Sequence, residues 1–216
     1  KRKIGFTLNI LIHDVFPENL VPAGIRLPKY VYIKIKNLYD KSYACADKLI
    51  VLGRDMKDVM QQKICKYNST TLISIIENWA EIDRISPKEF PQQNVVHIQY
   101  AGNIGRLQGL ESFVRILYET SVDGIRFDLW GNGAVEQHLK EYTVKMGLNN
   151  IFFNGAYQRS MQSEIIGSCD IALVTLADGM CGLGVPSKTY NIMAAGRPIL
   201  YIGDLNSEVA LMIQEH

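Results

Sequence analysis

Short apolar runs alternate with amphipathic segments along the chain, and this alternation predicts β–α units. The predicted strands are Phe6–Ile12, Lys48–Leu52, Leu72–Ile76, Val95–Tyr100, Ile125–Trp130, Ile151–Asn154, Ile171–Thr175 and Ile199–Ile202. The predicted helices are Tyr30–Ala46, Arg54–Lys63, Gly109–Thr120, a segment ending near Met146, Met161–Ser168, Lys188–Ala195 and a last helix from Ser207. Repeats with such short connections are typical of an α/β fold, a doubly wound parallel sheet with helices on both faces. One segment is ambiguous, because VYIKIK in the first predicted helix also favours β structure.

Length and composition set the domain organisation. The chain has 216 residues and is 47% apolar, enough for one large domain, or one domain and part of another, with a normal core. We expect residues 1–80 to be the C-terminal part of one Rossmann-like domain. We expect residues 81–216 to be a second Rossmann-like domain that is truncated at its C-terminus. Both ends of the chain are expected to be cut, because it begins beside a strand and stops inside a helical pattern.

The charge distribution indicates which partners the chain can bind, and the cysteine spacing indicates whether it holds a metal. Residues 1–68 hold 13 Lys/Arg against 6 Asp/Glu, whereas residues 69–216 hold 10 against 16. The basic, tyrosine-rich segment 29–43 suits a membrane interface, although packing against the rest of its own domain explains it equally well. A nucleic-acid partner is not expected, because the acidic second part has no basic and aromatic stripe. The four cysteines are widely spaced, which indicates reduced thiols, mostly in the core, and no zinc site.

The segment Gly179–Pro198, GMCGLGVPSKTYNIMAAGRP, predicts an anion-binding element. A glycine-rich turn leads into Ser187, which can cap the helix that follows, and Lys188 adds a positive charge. Main-chain N–H groups at such a turn suit a diphosphate. Because ligands bind beyond the carboxyl ends of strands in a doubly wound sheet, the loops expected to form the site are 102–106, 131–133, 154–159 and 177–188.

Three motifs in these loops resemble glycosyltransferase family 4: YAGNIGRLQGLES (100–112), DIALVTLADGM (170–180) and GLGVPSKTYNIMAAGRPIL (182–200). Upstream, LIHDVFPENL and ADKLIVLGRDM resemble the last two strands of the family's acceptor-side domain. The likeness is to bacterial capsule and O-antigen sugar transferases, including fucosamine transferases. It implies the GT-B fold and a retaining hexosyltransferase that needs neither metal nor cofactor.

The resemblance also implies the partners. A sugar would pass from a nucleoside diphosphate, expected to be UDP, to a growing glycan or an undecaprenyl-diphosphate-linked acceptor. The protein would be cytoplasmic and would work at the inner face of the plasma membrane, which the basic segment 29–43 would contact. This fragment by itself is expected to be inactive, because most of one wall of the cleft is missing.

The family motifs assign roles to individual residues. Arg106 is expected to bind the leaving diphosphate, where a fixed cation stabilises the developing charge. Gln108 replaces the lysine that many relatives have after this arginine, and Lys188 is expected to supply that charge. His13 and Asp14 end a strand of the first domain and are expected on the acceptor side. The remaining donor contacts implied are Asn103, Gly105, Gly131, Ala156, Tyr157, Gly182, Gly184, Val185, Ser187 and Asn191.

The chain departs from the family at its pair of acids. Asn191 lies where relatives carry a glutamate that binds the donor ribose; an amide can bond hydroxyls but carries no charge. The first acid of the pair is also absent, and Asp178 is the nearest carboxylate. Two other functions therefore stay open. One is an isomerase like the UDP-sugar 2-epimerases, which needs more acid/base groups than these loops offer. The other is a non-catalytic module that binds nucleotide sugars.

Overall fold

A computed structural model of the chain describes residues 5–90 and 94–216, and in this part the strands form two parallel sheets. The first sheet contains β1 (Asn9–Leu11), β2 (Lys48–Val51) and β3 (Leu72–Ile75), in that order. The second has the order β6-β5-β4-β7-β8, with β4 (Val96–Ala101), β5 (Ile125–Trp130), β6 (Ile151–Gly155), β7 (Ile171–Thr175) and β8 (Ile199–Ile202). The helices are α1 (Lys29–Ala44), α2 (Arg54–Cys65), α3 (Leu110–Thr120), α4 (Glu136–Lys145), α5 (Gln162–Gly167), α6 (Lys188–Ala194) and α7 (Glu208–Glu215).

The predicted alternation of strands and helices is confirmed. The ambiguous segment VYIKIK is helical within α1, so its interpretation as a strand was wrong. The first strand is shorter than predicted, because β1 pairs with β2 over only Asn9–Leu11.

The chain forms two compact units. The first comprises the chain up to Asn78 together with Asp178–Val185 and Asp204–His216, and the second comprises Trp79–Ala177 and Pro186–Gly203. From the sequence we expected a single boundary at residue 80. In the structure, Asp178–Val185, which include the first part of the glycine-rich segment, pack with the first unit instead. The C-terminal helix α7 does the same.

The second unit is built around its five-stranded sheet. Strand order reverses between β4 and β7, the topological switch point beyond which such sheets bind ligands. The core beside β4 and β5 includes Phe113 of α3 and Phe127 of β5, whose ring centroids lie 4.7 Å apart in an edge-to-face arrangement. Apolar residues at helical spacing on α3 therefore face this sheet, as the pattern predicted.

The first unit holds a cluster of charged side chains beneath α1 and α2. Lys63 is almost fully buried, and its Nζ lies 2.5 Å from Glu18 and 2.8 Å from Asp40. Lys36 contacts both of these carboxylates, and Lys66 contacts Asp40. Burial opposes ionisation of Asp40, but hydrogen bonds from the lysines outweigh burial and lower the pKa of Asp40. Part of the basic charge of the first unit is thus internal.

Candidate functional site

The loops that follow β4 and β5 are joined through their backbones. Gly102 donates its N–H to the carbonyl of Trp130 at 2.8 Å, and Gly131 donates to the carbonyl of Gly155 at 2.7 Å. A side chain at Gly131 would begin 1.9 Å from the carbonyl oxygen of Gly102, and its φ of 132° also favours glycine. This close approach is sufficient to explain the glycine at position 131.

Arg106 begins a short 3₁₀ helix, Arg106–Gln108, directly beyond β4. Its side chain is exposed, and in residues 5–90 and 94–216 it forms no ion pair with a carboxylate. Gly105 precedes it, and a Cβ there would meet the side-chain amides of Gln108 and Asn103 at 2.6 and 2.7 Å. The loop therefore presents a free guanidinium group at the carboxyl edge of the sheet.

Lys188, the first residue of α6, turns its charged end inward. Its Nζ has no exposed surface and, within residues 5–90 and 94–216, no hydrogen-bond partner. It lies 3.5 Å from the centroid of the Tyr100 ring. A Cβ at Gly102 would be 2.8 Å from this nitrogen, so the glycine leaves the space that Nζ occupies. Burial lowers the pKa of Lys188 to about 7. We expected this lysine to supply a positive charge to a diphosphate at the start of the helix, and the structure places its charged end under the loop after β4.

A small cavity lies beside Lys188 between β4, β7, α5 and α6. Its volume is about 20 Å³, far below the ~300 Å³ at which ligand pockets begin. Its lining consists of Gln99, Ala101, Tyr157, Gln162, Ile166, Ala172, Lys188 and Ile192. The cavity beside the lysine is therefore too small to hold a ligand.

Tyr157 and Trp130 form an aromatic pair at the ends of neighbouring strands. Their ring centroids are 6.3 Å apart with an interplanar angle of 86°, an edge-to-face contact. Tyr157 is half-buried, and burial raises the pKa of its phenol. Ala156 beside it is exposed. Sequence reasoning missed Trp130, although an aromatic residue at the last position of a strand beside the predicted site was a usable signal.

Ser187, which precedes α6, and Asn191 within α6 differ from expectation. Ser187 has helical backbone angles of −62° and −22°, and its side chain caps no N–H group, so the predicted helix cap was wrong. The side-chain oxygen of Asn191 accepts a hydrogen bond from the N–H of Glu81 at 3.0 Å. The NH₂ group of this amide is what remains to donate to a ligand hydroxyl.

The glycine-rich segment before α6 packs within the first unit. Gly182 has a φ of 73°, and a Cβ there would lie 2.6 Å from the Val59 side chain. Its N–H donates to the Asp55 carboxylate at 3.0 Å. Gly184 forms an antiparallel bridge with Asp14, and both it and Val185 are buried. The expected acceptor-side residue Asp14 and the expected donor-loop residue Gly184 are therefore neighbours.

Asp55 is a further residue that sequence reasoning missed. This buried carboxylate also accepts the N–H groups of Met56 at 2.7 Å and of Glu208 at 3.1 Å. Burial raises the pKa of Asp55, while the three main-chain hydrogen bonds oppose that rise. His13 and Asp14, by contrast, are exposed at the end of β1.

In residues 5–90 and 94–216, no three His, Cys, Asp or Glu side chains lie where they could hold a metal ion together. The helices there are all too short or too polar to cross a bilayer. Cys45 and Cys65 are exposed, so the expectation that the cysteines are mostly core residues was wrong for these two. Burial raises the pKa of the Cys169 and Cys181 thiols to about 11, which makes both unreactive near pH 7.

Comparison with known proteins identifies relatives of this chain. It is 35% identical to the probable glycosyltransferase WbjE of Pseudomonas aeruginosa over 98% of its own length and 55% of the relative's. It is 23% identical to WcaI of Escherichia coli K12, named for glycosyl transfer in colanic acid biosynthesis, over 78% of this chain and 43% of that one. The chain spans about half the length of these curated relatives. No family model matches it.

Solved structures share the fold of this chain. The Anabaena protein HepE, solved in complex with UDP and glucose, superposes with a TM-score of 0.62 at 16% identity, over 97% of this chain and 61% of that one. The chain is thus similar in sequence to two glycosyltransferases and shares its fold with HepE. The α/β fold of GT-B type that the sequence predicted is confirmed.

Proposed function

We propose that this chain is the donor-binding part of a glycosyltransferase that moves a sugar from a nucleoside diphosphate, UDP in our proposal, to a surface polysaccharide. The observation that carries the proposal is similarity to WbjE over 98% of the chain. The UDP complex of HepE, which shares the fold, supports a nucleotide donor. The colanic acid pathway in the name of WcaI supports a polysaccharide acceptor. Since the relatives are about twice as long, the activity is proposed for the whole protein.

The donor would bind at the carboxyl edge of the five-stranded sheet. Arg106 would contact the diphosphate, because it is a free cation beside the switch point. Lys188 would join it once its side chain leaves Tyr100. Tyr157 would stack on the base with Trp130 as its support, and the Asn191 NH₂ would donate to a sugar or ribose hydroxyl. Main-chain contacts from the second unit would come from Asn103, Gly105, Ala156 and Ser187, whereas the N–H of Gly182 in the first unit is already bound to Asp55.

Catalysis in this proposal is electrostatic. As the bond between the sugar and the diphosphate breaks, negative charge grows on the leaving phosphate, and fixed cations lower that barrier. Retention of configuration and independence from metal follow the family and are part of the proposal. His13 and Asp14, exposed at the end of β1, would face the acceptor.

The acceptor side would also meet the membrane. Along one face of α1, Tyr30, Ile33 and Leu38 are exposed together with Lys34 and Lys41. Apolar side chains flanked by lysines suit the surface of an anionic bilayer. A lipid-linked acceptor would be delivered there.

Titration of the chain with UDP, in the presence of EDTA, tests the donor site. We expect UDP to bind and to raise the melting temperature more than uridine does, because specific binding stabilises the folded state by mass action. Arg106→Ala should weaken UDP binding by roughly 10- to 150-fold, the effect of losing a charged hydrogen bond of ~1.5–3 kcal/mol. Arg115→Ala is the matched control, since Arg115 is an exposed arginine on α3. Equal affinities for the two variants, or binding only without EDTA, would refute the assignment.

A further inference from the structure

The ammonium group of Lys188 is enclosed by protein. Its Nζ has no exposed surface and finds no hydrogen-bond partner among the residues that the structure describes, although a lysine can donate three hydrogen bonds. An atom without exposed surface cannot contact a bound ligand. Any role of Lys188 at a diphosphate therefore requires Nζ to leave the face of Tyr100, from whose ring centroid it is now 3.5 Å away.

The surroundings of Nζ supply no negative charge. β4 contributes Gln99 and Tyr100, the segment after β6 contributes Tyr157, and α5 contributes Gln162. The titratable groups among these are the two phenols. Burial raises the pKa of both, so both are neutral near pH 7. In the described part of the chain, no carboxylate lines this space, and a charged lysine would lack compensation.

Two opposing effects act on the charge. A ring face favours an ammonium ion that lies over it. Loss of hydration disfavours the ion when no counter-ion replaces the water. Loss of hydration is the larger effect, and it lowers the pKa of Lys188 to about 7. The uncharged amine is thus the form that suits the enclosed position above that pH.

We propose that Lys188 is stored as a neutral amine against Tyr100 in the donor-free protein, and that a bound diphosphate draws it out and converts it to the ammonium ion. The inference rests on the proposed function, since it requires a nucleoside diphosphate at this edge of the sheet. One proton from solvent adds to the amine lone pair, and no other bond forms or breaks. The adjacent phosphate charge favours the ammonium form. Donor binding is then coupled to uptake of one proton, and it weakens as pH rises.

Calorimetric titration with UDP in buffers of different ionisation enthalpy measures this proton. Between pH 7.5 and 9 the terminal phosphate of UDP is already ionised, its second pKa being near ~6, so the ligand contributes little. At pH 8 we expect roughly 0.5–1 proton taken up for each UDP bound, and affinity should fall up to about tenfold from pH 8 to 9. Lys188→Arg, which stays charged, should bind UDP without proton uptake. Lys188→Met should bind weakly, also without uptake.

A second readout follows the lysine itself. In the chain labelled with ¹³C at the lysine ε-carbons, the resonance absent from Lys188→Met should titrate near neutral pH without UDP and stay in the charged position when UDP is saturating. If UDP binds the wild type with no more proton uptake than Lys188→Arg, the stored-amine proposal is wrong and the donor site stands. If UDP binds none of these proteins, the proposed function fails, and this inference with it.

Discussion

At the scale of single residues, the position of Lys188 opposes stability. A lysine is charged in the unfolded chain up to about pH 10.4, whereas burial in the folded chain lowers its pKa to about 7. Between these values the unfolded state binds the additional proton, and protonation favours unfolding. The penalty grows as pH falls from about 10 to 7 and is constant below that. A residue that lowers stability in this way is typical of a functional site, where activity is retained at the expense of stability.

Lys188→Met should therefore stabilise the chain. Methionine fills a similar volume without needing hydration, so the free energy of unfolding should rise by about 1–3 kcal/mol at pH 7. The gain should be smaller at pH 9.5, where the wild-type penalty is reduced. Urea unfolding at both values measures it, with Lys140→Met, a half-exposed lysine of α4, as control. A wild type as stable as Lys188→Met at pH 7 would contradict the prediction.

At the scale of elements, the N-termini of α2 and α7 are hydrogen-bonded to each other. Asp55 in the first turn of α2 accepts the N–H of Glu208, and the Glu208 carboxylate accepts the N–H and guanidinium of Arg54. Each helix thereby receives an anion at its N-terminus from the other. Because Asp55 also holds Gly182, the same contact fixes the glycine-rich segment. The sequence shows acids in both first turns, but only packing makes each one the cap of the other helix.

Asp55→Ala should loosen this junction. Three main-chain N–H groups, those of Met56, Gly182 and Glu208, would lose their acceptor, at a cost of about 3 kcal/mol. Hydrogen exchange at the amides of Gly182 and Glu208 should accelerate, and urea unfolding should shift to lower concentration.

Asp58→Ala is the control for this variant. Asp58 is an exposed carboxylate on the same helix and should change stability by less than ~0.5 kcal/mol. Similar effects of the two substitutions would show that Asp55 does not hold the segment.

At the scale of the whole molecule, the lysines of the basic first part fall into two groups. Some are paired with carboxylates, and others are exposed. Lys36 is partly buried and paired with Glu18 and Asp40, so its charge is balanced within the first unit. Lys34 and Lys41 of the same helix are exposed. The basic excess of residues 1–68 is therefore partly neutralised inside the first unit and partly displayed along α1.

The displayed part should bind anionic membranes. The chain should sediment with vesicles of phosphatidylglycerol but not of phosphatidylcholine, and binding should weaken with salt. Lys34→Gln should lower the partition coefficient about fivefold, since each lysine near such a surface contributes ~1 kcal/mol. Lys145→Gln, an exposed lysine of α4, should leave it unchanged. Binding of the wild type to both kinds of vesicle alike would exclude the electrostatic part of this contact.

The sequence by itself determined the order and type of the elements, because period and turn residues act locally and needed no knowledge of neighbours. Its motifs also predicted the similarity to glycosyltransferases, and topology alone pointed to the carboxyl edge beyond β4 as the candidate site. Tertiary structure decided everything that depends on distant partners: the inward turn of Lys188, the bond from Gly182 to Asp55, the contact of Trp130 with Tyr157, and the return of residues 178–185 to the first unit. Desolvation and hydrogen bonding depend on which groups surround an atom, and residues far apart in sequence supply those groups.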